Sequence, residues 1–279
     1  MEKSYFAPKE IVENSINQSV GKVNMPLYKV ILLGIIAGAF IAIGGQGSNV
    51  AAHAITNPGI AKTVAGVIFP VGLMLIVVIG GQLFTGNCLI FMGVLDRKIS
   101  LSKFLMNLLT IFCSNYVGAA LVSFLVYNSN QFNMNGGQLG AYSIYVSANK
   151  LSLSAPQAII SGIMCNIIVC AAILMAGAAK DVTGKCVGVF FTIFVFVVSG
   201  FEHCVANMYY LTAGILSAHN DKYVEKAMEV YHITEAQLQT INMKNILLHN
   251  LLPVTIGNII GGSICIGLVF YVIYGGKEK

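Results

Sequence analysis

The sequence predicts an all-α integral membrane protein, six transmembrane helices arranged as a 3+3 inverted repeat in an aquaporin-like protomer. Three observations carry this expectation. Hydrophobic residues make up 56% of the 279-residue chain and charged residues only 10%, with 29 glycines and no tryptophan, a balance foreign to soluble domains and to disordered chains. Six apolar stretches, at about 27–51, 63–95, 104–127, 156–179, 186–218 and 247–274, are each long enough to cross a hydrocarbon core of ~30 Å. The second and fifth run for 33 residues, and each is interrupted near its middle, by Gly80-Gly81-Gln82-Leu83-Phe84-Thr85-Gly86-Asn87 and by Ser199-Gly200-Phe201-Glu202-His203-Cys204-Val205-Ala206-Asn207. A continuous helix of that length would measure ~50 Å. Each is therefore expected to break at mid-membrane into two half-helices joined by backbone that lines a cavity within the protein.

Residues 1–26 precede the first span. Pro8 stands at a first helical position, and Ile11, Val12, Ile16 and Val20 follow at helical spacing, which predicts an amphipathic helix on the cytoplasmic face. The segment has no apolar core of signal-peptide type, so the chain is expected to enter the membrane at its own first span. That span ends in the turn Thr56-Asn57-Pro58-Gly59. Gly34-Ile35-Ile36-Ala37-Gly38 in span 1 parallels Gly162-Ile163-Met164-Cys165-Asn166 in span 4, and Asn115-Tyr116-Val117-Gly118 in span 3 parallels Asn258-Ile259-Ile260-Gly261 in span 6. The halves, about 27–127 and 156–274, thus read as one duplicated three-span unit within a single domain, 27–274. An odd number of spans per copy forces the copies into opposite orientations. Gly34/Gly38 and Gly257/Gly261 sit at the spacing that lets helix backbones approach closely. The external segment at about 219–245 is polar, and Thr234-Glu235-Ala236-Gln237 fits a capping box, so a short surface helix accounts for it. Residues 275–279 form a tail.

Orientation follows from the basic residues. With the N-terminus inside, eleven of the 16 lysines and arginines fall on the cytoplasmic side, Lys3, Lys277 and Lys279 among them, and five on the other. The excess favours a multi-pass protein of the cell membrane with both termini in the cytoplasm. The net charge of +5 is a topology signal, and no basic motif points to nucleic acid. All seven cysteines lie in apolar segments without metal-ligand spacing and read as small packing residues. No metal or cofactor is expected.

Glu202 and His203 are the only acidic or basic residues well inside a span. A charge at mid-bilayer costs ~2.5–3.5 kcal/mol on insertion scales, so such a residue is expected to have partners or a purpose. An imidazole exchanges a proton near neutral pH, which would suit His203 to face a pathway; a buried structural pair is the plainer reading of both. Glu202 is the natural cap for the following half-helix, whose N-terminus favours a carboxylate. Thr85 is expected to occupy the matching position in the first broken span, where its hydroxyl could meet His203 or the permeating species, or merely cap a half-helix. Two half-helix N-termini of about +0.5 charge each would favour an anion at the midplane. Lys150, near the outer end of span 4, adds a full positive charge, although a lone loop lysine is commonly just solvated. Catalysis is not expected: the chain has no H-E-x-x-H, C-x-x-C, G-x-S-x-G or phosphate-loop motif.

Three segments carry a resemblance. Gly81-Gln82-Leu83-Phe84-Thr85-Gly86-Asn87, Ser199-Gly200-Phe201-Glu202-His203-Cys204-Val205-Ala206-Asn207-Met208 and Pro253-Val254-Thr255-Ile256-Gly257-Asn258-Ile259-Ile260-Gly261-Gly262 resemble the formate/nitrite transporter family, and the whole chain looks most like its clostridial hydrosulfide channel branch. The resemblance implies a homopentamer in the lipid bilayer, each protomer with its own pore. It implies that His203 and Thr85 meet at the centre between two apolar slits, on which Phe69, Leu73, Leu83, Val169 and Phe196 fall. Asn166 falls on a polar pathway residue, Lys150 on a lysine that draws anions into the outer vestibule, and Asn207 and Glu202 on residues bonded around the central histidine. The expected function is a channel or transporter for small monovalent anions of weak acids, hydrosulfide first, with formate and nitrite as further candidates. The competing expectation is an aquaporin-like channel for neutral solutes. Against it, the paired Asn-Pro-Ala motifs are absent, and the only Asn-Pro, at 57–58, lies in a loop.

Overall fold

The computed structural model describes residues 4–276. Lys3, Lys277, Lys279 and most of the 275–279 tail lie outside the described residues. Every regular element is a helix, with one isolated bridge between Tyr5 and Ala179. Helix α1 (Pro8–Val23) has proline in its first turn and buries Val12 and Ile16. The first repeat follows as α2 (Leu27–Ala52), α3 (Pro58–Ile79), α4 (Phe84–Leu95) and α5 (Leu101–Asn128). The second is α7 (Ala155–Ala178), α8 (Val182–Ser199), α9 (Cys204–Ala218) and α12 (Met243–Tyr274). Between and after them lie α6 (Met134–Leu151), α10 (Asp221–Tyr231) and α11 (Glu235–Thr240). The expected broken spans are α3/α4 and α8/α9. Among the described residues six helices, α2, α3, α5, α7, α8 and α12, are long and apolar enough to cross a membrane.

Five spans begin earlier than expected, and capping side chains explain the second and the fifth. The turn at 56–59 is also a helix start, because the Asn57 side chain accepts from the Ile60 amide and Pro58 occupies the first turn, so α3 opens at residue 58. Asp181 likewise accepts from Gly184 and opens α8 at residue 182. The capping box at Thr234 forms as expected and starts α11. Two elements were not anticipated. α6 escapes hydropathy because its apolar residues form one face, Leu139, Ile144 and Ala148, and its first turn passes through left-handed backbone at Asn135, Gly136 and Gly137. α10 packs on α6, with Tyr145 stacked on Tyr231 at 5.0 Å between ring centroids.

Both breaks are built alike. Gly80 (φ 107°) and Gly200 (φ 72°) end α3 and α8 in backbone that only glycine adopts at low cost. One asparagine then staples each break. The Asn115 amide nitrogen donates to the Gly34 and Gln82 carbonyls, at 2.7 and 3.0 Å, and its oxygen accepts from the Phe84 amide at 2.9 Å. Asn258 repeats this with Gly162 and Glu202, at 2.8 and 3.0 Å, and with the Cys204 amide at 2.9 Å. Backbone groups freed at membrane depth are thereby satisfied within the protein. The stapling demands close helices. A Cβ on Gly118 would overlap the Ile35 carbonyl oxygen, and one on Gly261 the Ile163 carbonyl oxygen, so small residues hold α2 on α5 and α7 on α12.

Candidate functional site

The staples fix a register between repeats. Phe84 corresponds to Cys204, so Gln82 corresponds to Glu202, Leu83 to His203 and Asn87 to Asn207. Thr85 therefore matches Val205, two residues further into its half-helix than the position matching His203. The two side chains still meet. Thr85 Oγ1 lies 2.9 Å from His203 Nε2, and both residues are buried.

His203 is also the N-cap of α9: its Nδ1 accepts from the Ala206 amide at 3.0 Å. This corrects the expectation that Glu202 caps that helix, and the reason is direction. An extended backbone at His203 turns its ring toward the first-turn amides, while the Glu202 carboxylate is taken up by the Lys150 and Asn207 side chains. The cap has a chemical consequence. An Nδ1 that accepts a backbone N–H carries no proton, so the proton of the neutral ring sits on Nε2. Nε2–H then donates to Thr85 Oγ1, which leaves the threonine hydroxyl hydrogen free to donate elsewhere.

Glu202 and Asn207 do not touch the histidine ring, whose side-chain partner is Thr85. They form a neighbouring network instead. Lys150 Nζ lies 2.9 Å from Glu202 Oε1, Asn207 Nδ2 donates to Glu202 Oε2 at 2.6 Å and to Asn250 Oδ1 at 2.7 Å, and Asn250 donates to the Lys150 carbonyl at 2.9 Å. Lys150 reaches this network from the last turn of α6 and is no loop residue at the end of span 4. Sequence reading missed its mirror image at the other break. Asn87 Nδ2 donates to Gln82 Oε1 and Asn107 Oδ1, both at 2.9 Å, and Lys22 of α1 donates to Asn87 Oδ1 at 2.9 Å. The signal was present: Asn107 and Asn250 each stand eight residues before a staple asparagine. Asn166 is a brace. Its amide donates to the Thr85 and Asn258 carbonyls at 3.2 and 2.6 Å.

Two chambers lie near the Thr85–His203 pair. One, outer in the orientation the basic residues predict, measures about 160 Å³ and is bordered by Phe69, Phe196, His203, Asn207, Lys150 and Tyr210, among others. The other, inner in that orientation, measures about 200 Å³ and is bordered by Lys22, Leu73, Leu83, Asn87 and Lys185, among others. The five slit residues are all buried. Phe69 and Phe196 meet edge to face at 5.8 Å between centroids, and Phe196 also packs on His203 at 5.9 Å. Leu73 and Leu83 line the second chamber, and Val169 lies one turn beyond Asn166 on α7. The Thr85–His203 pair is thus buried, with the Phe69–Phe196 contact beside the histidine ring.

Six membrane-length helices, two stapled breaks and a sealed polar centre define a multi-pass membrane channel or transporter protein. The formate/nitrite transporter pattern matches residues 9–272, and the chain belongs to that family. It is 34% identical to the probable formate transporter of Methanothermobacter thermautotrophicus, covering 98% of this chain and 99% of that one. It is 31% identical to the formate channel FocA of Haemophilus influenzae, covering 94% and 93%. Among solved structures it matches a pentameric formate channel with formate bound at 33% identity and a TM-score of 0.78, over 89% of this chain and 97% of that one. An FNT family ion channel shares the fold, with a TM-score of 0.79 at 24% identity over 94% and 98%. These relatives are channels and transporters, and the chain is no enzyme.

Proposed function

We propose that this protein carries small monovalent anions of weak acids across the cell membrane, through a pore in each protomer of a homopentamer, with both termini in the cytoplasm. The observation that carries the reading is the Thr85–His203 pair, a hydroxyl donor backed by an imidazole N–H and enclosed by apolar rings. A bare ion pays heavily to enter an apolar constriction. A small anion that accepts the Thr85 hydroxyl is held at the centre and, once it takes up a proton drawn from chamber water, crosses the slit as a neutral acid. His203 keeps the donor aimed, and a hydrogen-bonded chain of this kind is stronger than its separate links.

The names of the relatives favour formate as the substrate. The neutral-acid route suits hydrosulfide, whose conjugate acid titrates near neutrality, and nitrite belongs to the same chemical class. Flux into sealed proteoliposomes, measured for formate, hydrosulfide, nitrite and glycerol at two pH values, tests the reading. Anion uptake that quickens at the lower pH, with glycerol excluded, is the expected result. Glycerol or water permeation without anion flux would leave the neutral-solute reading in its place.

A further inference from the structure

We propose that Lys62 is the anion-capture residue of the outer mouth, the side chain that concentrates substrate before it reaches the chamber holding Lys150. The inference rests on the anion-transport reading above and adds a residue to it.

The first observation concerns Lys150. Its ammonium lies 2.9 Å from Glu202, whose side chain is 6% exposed. The outer chamber therefore holds an ion pair whose fields largely cancel a few ångströms away. A lysine compensated in this way contributes hydrogen-bond donors and a contact with Tyr210, whose ring centroid is 5.4 Å from Nζ. It contributes little long-range attraction.

The second concerns position. Lys62, on the first turns of α3, lines an outer pocket together with His53, Tyr142, Tyr145 and Asn149. Tyr142 borders both this pocket and the chamber of His203, so the two cavities are neighbours across one ring. The Lys62 ammonium also lies 3.1 Å from where a Cβ on Gly200 would stand, and Gly200 itself borders the chamber. Lys62 thus places its charge at the boundary of the two cavities.

The third is the absence of compensation. Among the described residues Lys62 has no ion-pair partner, and its side chain is exposed. Its ammonium lies beside Gly200, the C-cap of α8, and a helix C-terminus carries a partial negative charge of about half a unit. A net positive field survives at the mouth, and a mouth with low-dielectric walls focuses it.

A purely structural role, in which Lys62 only complements the α8 terminus, makes a different prediction, and kinetics separate the two. Initial uptake of formate and of hydrosulfide is measured against concentration for Lys62→Gln, Lys62→Arg and Lys62→Glu, in right-side-out and inside-out vesicles, at about 10 mM and about 1 M KCl, where the screening length falls from ~30 Å to ~3 Å. At low salt, Lys62→Gln is expected to raise the apparent KM about threefold, leave the maximal rate unchanged, and abolish most of the salt dependence. The effect should be confined to the vesicle orientation that presents this mouth to the substrate. Lys62→Arg should match the unaltered protein, and Lys62→Glu should be worse than Lys62→Gln. An unchanged KM and salt slope in Lys62→Gln would overturn the inference. So would a fall in maximal rate with the salt slope intact, which is what damage to the α8 terminus would give. If the unaltered protein carried neither anion, the transport reading itself would fail, an outcome distinct from these.

Discussion

At the residue scale, the centre of the protein is a tautomer set by a helix cap. The Ala206 amide holds Nδ1 of His203 as an acceptor, and this leaves Nε2–H for Thr85. His203→Ala should lower the rate of anion uptake while leaving uptake faster at the lower pH, because the proton comes from chamber water, and Thr85→Val should lower the rate while preserving the fold; flux and detergent-solubilised melting, read together, check both. If His203→Ala kept the rate of the unaltered protein, the pair would have no part in transport. The Lys150–Glu202 pair makes a second prediction. Breaking a buried ion pair by removing one member costs on the order of 3–5 kcal/mol, whereas replacing both by apolar groups can be nearly neutral. Glu202→Gln should therefore lower the melting temperature markedly, and Lys150→Met with Glu202→Leu should recover most of the loss. Glu202, His203, Thr85 and Lys150 stood out in the sequence because charge and hydroxyls are rare in apolar segments. Of their contacts, the meeting of Thr85 with His203 was expected from the family resemblance and the others were not. Glu202 and His203 are adjacent in the chain but take different partners, and Lys150 approaches from a helix that hydropathy did not show.

At the scale of elements, each half-helix hangs on one asparagine. Asn115→Ala or Asn258→Ala would strand two carbonyls and an amide at membrane depth, each unsatisfied group costing ~1–3 kcal/mol. Either change should lower the melting temperature and the yield of folded protein more than any single slit substitution such as Leu83→Ala, as thermal unfolding of the purified variants will show. Helix α1 offers a pH prediction. It is fastened at the inner chamber through Lys22 and Asn87, and burial lowers the Lys22 ammonium from 10.5 to about 8. The docked helix then binds fewer protons than the undocked one between those values. Docking is penalised below about pH 8 and strengthens as pH rises from 8 toward 10.5. Protection factors of the α1 amides should rise across that interval, and Lys22→Met should flatten the rise. The positions of the long helices were legible because hydropathy and length define them. Their starts were less so: at Asn57 and Asp181, a capping side chain extends the helix into residues that composition alone assigns to a loop.

For the whole molecule, the inverted repeat is more than a likeness of short motifs. Lys22, Gln82, Asn87 and Asn107 around one break answer Lys150, Glu202, Asn207 and Asn250 around the other. The symmetry fails at one position, where glutamine stands against glutamate, so the inner lysine is met by neutral groups and the outer one by a carboxylate. The sequence by itself determined the membrane class, the six spans, the two breaks and the duplication. These follow from length, hydropathy and order, which are properties of a segment read alone. The tertiary structure alone decided the register that sets Thr85 against Val205, the neutralisation of Lys150 and the exposed charge of Lys62. Each depends on the direction in which a side chain leaves a helix and on what another segment brings within about 3 Å of it, and no local pattern encodes that.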